Sequence, residues 1–556
     1  MAPVAHREIE RKYEVPEGAE ERIDWSGLQG YTVSAEPVEH RMEAVYYDTP
    51  DMALARRLVA LRRRRGGADD GWHVKFHEPS GRRELQFPLL RTPERMPAAV
   101  RTLLAGLAGG ERLRPVATLR TVRRVLMIGD PAGTEVAELA ADVVEAVDER
   151  TGTVRSWSEW EVELVDGTVP EEQQEEIFSA VEEAVFAVGG RPSTSRAKIA
   201  RALGAEDDDA VAAGPVPEQA EVPAGSAPTG EQDERDAEGE PGPKEKKGKK
   251  GKKPAVSGAE LLRTVLAELA EQLVLWDFKV RLEVPDAVHQ MRVTSRSLRS
   301  VLKAADPFLE GDVAEDLYVR LRELARTLSA ARDAEVTAQL LPARVEELGG
   351  RVGPAPAAVL QHRAEEQAEL AARSVRRSLA SKEHLRLLAD VREFAAAPPL
   401  TEQCAELSAR KVASTMLRRA LRKVVRVGER GAAAEASGAG ADAAQRLEHL
   451  HVVRKAVKRV RYVEAVLGGS GFRAGKSVRR AAADAREYQN ALGRIMDAAV
   501  VEGWLARTAQ ALSGSGEDRY AVGLLHGAEV VHLHSGVAGG ADVVGVLLAQ
   551  LRKDLA

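Results

Sequence analysis

The sequence predicts an α+β multidomain protein, and three observations carry that prediction. Runs within the first 203 residues alternate charged and apolar positions with a period of two. Residues 258–556 instead place apolar side chains three and four apart. The stretch between them, 204–257, has neither period and is rich in Pro, Gly, Ala and acids before a lysine run from Lys244 to Lys253, which reads as a disordered linker. At about 150 residues per domain, a chain of 556 residues holds two to four.

Charge divides along the same lines. The total of −6 separates into −7 for 1–203, −5 for 204–257 and +6 for 258–556. Cys404 is the sole cysteine, which excludes a disulfide scaffold and a four-thiolate zinc site within the chain. No run approaches the roughly 18 apolar residues of a membrane helix, and Met1–Val15 lacks a signal-peptide core. The expectation is a cytoplasmic protein with no membrane partner. Six Trp, eight Tyr and eight Phe are few for base-stacking platforms, so nucleic acid is a disfavoured partner.

The front strands follow in order. In Glu8–Val15 one face carries Glu8, Glu10, Lys12 and Glu14, and the other carries Ile9, Arg11, Tyr13 and Val15. Arg62 and Arg64 share a face around Leu61, and His73 and Lys75 oppose Trp72, Val74 and Phe76. Arg83 to Phe87 alternates too, and Ser158–Leu164 sets three carboxylates against Trp160, Val162 and Leu164. Such runs suit half-buried antiparallel strands. Carboxylates two apart on a strand lie roughly 7 Å apart and repel unless positive charge sits between them. A barrel with the charged face inward resolves this if it holds divalent metal and a polyanion. Hard carboxylate oxygens suit Mg²⁺ or Mn²⁺, and Arg and Lys suit phosphate oxygens. Lysine usage adds to this: of 19 Lys against 61 Arg, the first 203 residues keep only Lys12, Lys75 and Lys198.

These residues resemble the CYTH domains, the triphosphate tunnel metalloenzymes. The resemblance rests on Glu8-x-Glu10-x-Lys12, Tyr47-Asp48-Thr49, Leu61 to Arg64, Trp72 to Lys75, Arg83-Glu84, Arg120 to Arg123, Glu138 to Asp142, Glu161-x-Glu163 and Lys198 before Ile199. It covers about 4–203 and implies an eight-stranded antiparallel β tunnel with flanking helices. By position, Glu8, Glu10, Glu161, Glu163 and Asp142 would ligate Mg²⁺ or Mn²⁺, with Glu138 assisting. Lys12, Arg62, Arg64, Lys75, Arg83, Arg123 and Lys198 would grip phosphates, Arg123 being preferred to Arg120 and Arg124. His73 stands where a small hydroxyl residue is common, and Ala197 where Ser is usual; both departures bear on substrate choice.

The back half repeats itself. His289, Arg292, Arg296 and Arg299 fall at offsets 0, 3, 7 and 10, and His451, Arg454, Lys458 and Arg461 repeat them. Those offsets put each set on one helical stripe. Leu328–Asp333 is echoed by Leu492–Asp497, with Arg322 and Arg486 six residues before each leucine, so a helical unit recurs after about 160 residues. One basic stripe is ordinarily a solvated face, but two containing few acids can line one groove for an elongated polyanion. These motifs look like the CHAD domain, over about 258–556. That resemblance implies an all-α pair of four-helix bundles around a basic cavity for inorganic polyphosphate, with Arg418 and Arg422 extending the basic surface. Gly428–Ala444 reads as an interhelix loop.

Together the resemblances imply metal-dependent hydrolysis of inorganic triphosphate or short polyphosphate, with polyphosphate held by the helical domain and an association with polyphosphate granules. The alternatives are a non-catalytic polyphosphate-binding protein, or a tunnel acting on thiamine triphosphate, on nucleoside triphosphates or as an adenylate cyclase.

Overall fold

In a computed structural model the chain divides into two compact units, Met1–Val216 and Pro217–Ala556. The structure describes residues 4–16, 18–25, 28, 30–34, 36–67, 69–78, 81–165, 170–193, 197–204, 256–436, 443–512 and 519–555. The expected linker lies almost wholly outside them.

The front unit runs β1 (Val4–Glu8), β2 (Glu10–Glu14), α1 (Ala19–Arg22), β3 (Thr32–Val33), β4 (Val38–Asp48), β5 (Ala60–Arg65), β6 (Gly71–Glu78), β7 (Gly81–Phe87), α2 (Ala98–Ala108), β8 (Arg114–Gly129), β9 (Glu135–Asp148), β10 (Thr153–Leu164), α3 (Glu171–Ala187), β11 (Arg191–Pro192) and α4 (Lys198–Ala202). Every strand pairing is antiparallel, in the order β1-β7-β6-β5-β4-β8-β9-β10-β2. β1 and β2 are halves of one extended segment, broken at Ile9, whose carbonyl accepts the Leu164 N–H at 3.0 Å. The first half pairs with β7 and the second with β10, so the path closes into the expected ring of eight.

Alternation then divides the side chains. The outer face of β2, β9 and β10 presents Tyr13, Leu139, Trp160 and Val162, which bury Ile177, Phe178, Val181 and Val185 of α3. The inner face has two zones. At one end Ala44, Tyr46, Leu119, Val144, Ala146 and Trp157 pack with Ile199, Ala202 and Leu203 at α4, an apolar plug. Beyond it the inner positions are charged.

The back unit runs α5 (Gly258–Arg281), α6 (Ala287–Ala305), α7 (Val313–Glu347), α8 (Pro354–Leu379), α9 (Lys382–Ala396), α10 (Glu402–Glu406), α11 (Ala409–Ala436), α12 (Ala443–Gly469), α13 (Lys476–Ala511) and α14 (Arg519–Leu555). The first repeat packs α5 to α8 with α9 added, and the second packs α11 to α14 in sequence. α6 and α12 touch, so the two repeats share a seam. The loop expected at 428–444 is shorter than its Gly/Ala content suggested. α11 continues to Ala436 and α12 starts at Ala443, leaving 437–442 outside the described residues. Alanine favours helix strongly enough to carry the flanks.

α14 corrects another expectation. By length and composition it could cross a membrane, with a mean hydropathy of 1.3 in its best 18-residue window. Glycines and alanines hide this apolar run from the eye. Here Leu525, Val537, Val544, Leu547, Leu548 and Leu551 are buried, and α14 packs along α13, α11 and α12. A Cβ on Gly540 would lie 2.6 Å from Leu450 Cδ1, so this helix approaches its neighbour more closely than a larger residue allows.

Candidate functional site

Directly opposed residues on neighbouring strands share a face, so the register places the charges in rows. One row holds Glu10 on β2, Glu163 on β10 and Glu138 on β9. The next sets Lys12 against Glu161. The third runs Glu14, Glu159, Asp142 and Arg123. Across the ring, β5 and β6 bring Arg62 opposite His73, and β6 and β7 bring Lys75 opposite Glu84.

Two carboxylate-centred clusters result. Asp142 accepts Arg123 Nε at 2.8 Å and Nη2 at 2.7 Å, and lies 3.0 Å from Lys198 Nζ. Burial alone would raise its pKa, but the Lys198 and Arg123 charges outweigh burial and hold it well below the usual carboxylate range. Glu161 accepts Arg123 Nη2 at 2.6 Å, lies 2.7 Å from Lys198 Nζ and contacts Lys12. Lys12 also reaches Glu10 at 3.1 Å; burial, with Lys198 adding repulsion, pushes it down to about 8. Lys198 enters from the first turn of α4, which the apolar plug anchors, and meets Glu159 at 2.7 Å.

The second cluster gathers on Glu84. Arg62 lies 3.2 Å away, Lys75 3.0 Å and His73 Nδ1 2.6 Å. Burial pushes His73 down to about 4 despite the Glu84 hydrogen bond. Arg64 pairs with Asp69 and is pushed down to about 9 by burial and by Arg62 and Arg123.

Of the sequence-nominated metal ligands, Asp142, Glu161 and Glu10 already meet cations, Glu10 through Lys12 at 3.1 Å. Glu10, Glu163 and Glu138 form a carboxylate row in which burial raises Glu163 and its neighbours Glu10 and Glu138 raise it further, against Lys75. A hard divalent cation would relieve that repulsion, so the donor chemistry fits Mg²⁺ or Mn²⁺. Among the described residues no three His, Cys, Asp or Glu side chains already converge as a metal cage. Glu8 ends β1 opposite Arg82, and its side chain lies outside the described residues.

Arg83 is not where the phosphate-gripping expectation put it. It opposes Phe76 and lies on the face of Leu85 and Phe87, while Glu84 takes the charged-face position. Glu84 and Glu159 were missed as site residues. Their signal was present, since the alternation through Leu85 and Phe87, or Trp160 and Val162, fixes both on the charged side.

In the helical unit α6 and α12 bring the two basic stripes together. Arg296 and Arg292 depress Lys458, and Lys458 in turn depresses His289. Burial, followed by repulsion from Arg454, Arg296, Arg292 and Arg461, pushes Lys458 down to about 6. Burial, with Arg332 and Arg292 adding repulsion against Asp286, pushes His289 down to about 4, and His451 is lowered chiefly by burial. Among the described residues, no carboxylate lies within 4 Å of the cationic groups of Arg292, Arg296, Arg299, Arg454, Lys458 or Arg461. Buried Nε atoms of Arg296, Arg299, Arg454 and Arg461, and His289 Nδ1, have no hydrogen-bond partner. Arg292 instead meets Ser329 Oγ at 3.1 Å, and Arg299 stacks over Tyr318 with its Cζ 4.9 Å from the ring centroid. A crowd of cations with idle donors has the chemistry to accept a polyanion.

Other nominated cations stand apart. Arg322, Arg418 and Arg422 are exposed, and Arg486 pairs with Glu464 at 2.8 Å. Arg459 was missed; burial lowers it among Tyr318, Arg299 and Arg419.

Comparison with known proteins gives the following. The family model of the CYTH domain matches residues 6–188, and that of the CHAD domain matches 264–506. Two Mycobacterium tuberculosis proteins, from strains CDC 1551 / Oshkosh and ATCC 25618 / H37Rv and both described as uncharacterized, are each 30% identical over 546 residues. Each alignment covers 94% of this chain and 93% of the relative. The crystal structure of the CHAD domain from the plant Ricinus communis is 22% identical, covers 51% of this chain and 92% of its own, and has a TM-score of 0.39. The PH1819 protein from Pyrococcus horikoshii OT3 is 16% identical, covers 36% of this chain and 99% of its own, and has a TM-score of 0.23.

Proposed function

The chain belongs to the family that joins a CYTH domain to a CHAD domain, and on that premise we propose that its tunnel hydrolyses inorganic triphosphate or short polyphosphate while its helical unit binds inorganic polyphosphate. CYTH domains are generally metal-dependent phosphoryl-transfer modules, and this tunnel has the parts for that chemistry. The observation that carries the reading is the carboxylate row of Glu10, Glu163 and Glu138 beside the cations Lys12, Lys198, Arg123, Arg62 and Arg64.

In this reading Glu10, Glu163 and Glu138, with Glu8 and Glu161, would hold the divalent ion, Glu10 and Glu161 giving up Lys12 to phosphate. That ion, when bound, neutralises phosphate charge and acidifies a coordinated water. The cations exchange carboxylate oxygens for phosphate oxygens of similar geometry, so little reorganisation is needed. Arg123 and Lys198, already fixed by Asp142, stabilise the negative charge that grows on the diphosphate as its bond to the terminal phosphorus breaks. Water supplies the new oxygen, and the products are orthophosphate and diphosphate. Lys12 Nζ, pushed down to about 8, retains at neutral pH a proton that it can lend to the departing oxygen.

The test is phosphate release from tripolyphosphate with Mg²⁺ or Mn²⁺. Chelation should abolish turnover, and Glu163→Gln should lower kcat/KM by at least about 100-fold. Undiminished turnover in chelator would sink the metal assignment. In the helical unit the unpaired cations of α6 and α12 support polyphosphate as ligand, because phosphate oxygens satisfy Arg and Lys donors without base contacts.

A further inference from the structure

Arg64 differs from the other tunnel cations in the source of its counter-charge. Arg62, Lys75, Arg123 and Lys198 meet Glu84, Asp142, Glu159 and Glu161, all carried on the barrel wall. Arg64 instead meets Asp69, in the connection between β5 and β6. Among the described residues this is the only carboxylate within 4 Å of the Arg64 guanidinium. The Arg64 side chain is 13% exposed, like the other tunnel cations, whereas that of Asp69 is 34% exposed. Arg64 Nε, though buried, has no hydrogen-bond partner, so Asp69 leaves part of the guanidinium's capacity unused.

The local chain fixes the backbone that carries this carboxylate. Gly66 and Gly67 follow β5 with φ of +79° and +91°, conformations that side chains other than glycine's rarely permit. A Cβ at Gly66 would fall 2.1 Å from the Arg41 carbonyl oxygen on β4, so the turn begins hard against the neighbouring strand. Beyond the turn, His73 Nε2 lies 3.0 Å from the Asp69 carbonyl oxygen, while Nδ1 lies 2.6 Å from Glu84 Oε1. The neutral imidazole carries one N–H, so it donates to one of these oxygens and packs against the other, filling the space between the turn and Glu84. A serine or threonine at position 73 is too short to span both partners.

We propose that Asp69 is an internal counter-anion seated at the Arg64 phosphate position, and that it sets a charge threshold which triphosphates pass more readily than smaller phosphates. The proposal rests on the tunnel reading above. Asp69 projects from outside the strand ladder and its side chain is 34% exposed, so it can rotate from Arg64 into solvent when phosphate oxygens arrive. The exchange replaces one charge-assisted hydrogen bond with another. A carboxylate brings one negative charge and tripolyphosphate several, so the longer anion wins where pyrophosphate and orthophosphate compete poorly.

Steady-state phosphate release by the full chain tests this, using tripolyphosphate as substrate and pyrophosphate as competing inhibitor with Mg²⁺. Asp69→Asn should lower KM for tripolyphosphate about three- to tenfold, the range of one partly screened ion pair. It should lower Ki for pyrophosphate more, narrowing the preference between the two. His73→Ser, which releases the turn but keeps the carboxylate, should shift KM in the same direction by less. An unchanged or raised KM in Asp69→Asn with an active wild type overturns this proposal alone, because that is what a purely structural ion pair gives. A wild type that does not turn over tripolyphosphate overturns the tunnel reading and this proposal with it.

Discussion

Lys458 shows what crowding does to a single ammonium. It lies on α12 with His451, Arg454 and Arg461, faces His289, Arg292 and Arg296 from α6, and feels Asp333 on α7; Asp497 on α13 acts on Arg454 and Asp333. Burial and these cations bring its pKa from 10.5 to about 6, so at pH 7.5 the group is largely neutral. A polyanion reverses the repulsion and raises that pKa, so binding must take up protons. The sign follows by linkage: the bound state holds more protons above about pH 6, so affinity falls as pH rises from there through the bound-state pKa. Calorimetry of polyphosphate binding at pH 7.5, in buffers of different ionisation enthalpy, should show uptake approaching one proton from this site. Lys458→Arg should remove that uptake, because a guanidinium keeps its charge. Buffer-independent enthalpy in the wild type would refute the linkage. Without ligand the same shift means that Lys458 adds stability as pH rises from about 6 towards 10.5, where the unfolded chain binds the extra proton.

At the scale of elements, alternation and helical offset carried most of what the sequence could show. Period two identified the strands and fixed the inward set Glu10, Lys12, Arg62, Arg64, Lys75, Glu161 and Glu163 before any pairing was known. The same rule placed Glu84 rather than Arg83 on that face, and matching a motif by its first residue obscured it. Alternation says nothing of which strands become neighbours. The joining of Asp142, Glu161, Arg123 and Lys198, drawn from β9, β10, β8 and α4, is a product of closure and was not legible. In the helices the repeated offsets exposed the duplication, and the contact of α6 with α12 turned two stripes into one cation cluster. That equivalence is testable. Arg292→Ala and Arg454→Ala hold the same offset in the two repeats, and each should weaken polyphosphate binding by the full chain by about tenfold. Each should also lower the slope of log affinity against log salt by about one. A loss confined to one of them would show that the two helices do not share a ligand.

For the whole molecule, the near-neutral total conceals two units with different demands on a polyanion. The front unit presents carboxylates and cations together, and in the proposed reading its cations would leave carboxylates as phosphate enters. The back unit presents cations whose donors are idle, so it needs only the anion. In the proposed reading the second unit would hold a long polyphosphate whose end the first unit processes, because one chain carries both. Effective concentration for flexibly linked sites is about millimolar for short connections and declines as the connection lengthens. The proposed linker, 204–257, is long enough to favour long ligands yet still couple the units. A protease site inserted there allows the connection to be cut after folding, leaving both units present. Cleavage should leave KM for tripolyphosphate unchanged, because a three-phosphate ion gains nothing from being held at a second site. For long-chain polyphosphate it should raise KM by about tenfold or more, since capture and cleavage then become separate encounters. Equal KM before and after the cut, for both substrates, would mean that the units act independently and that fusion serves something other than delivery.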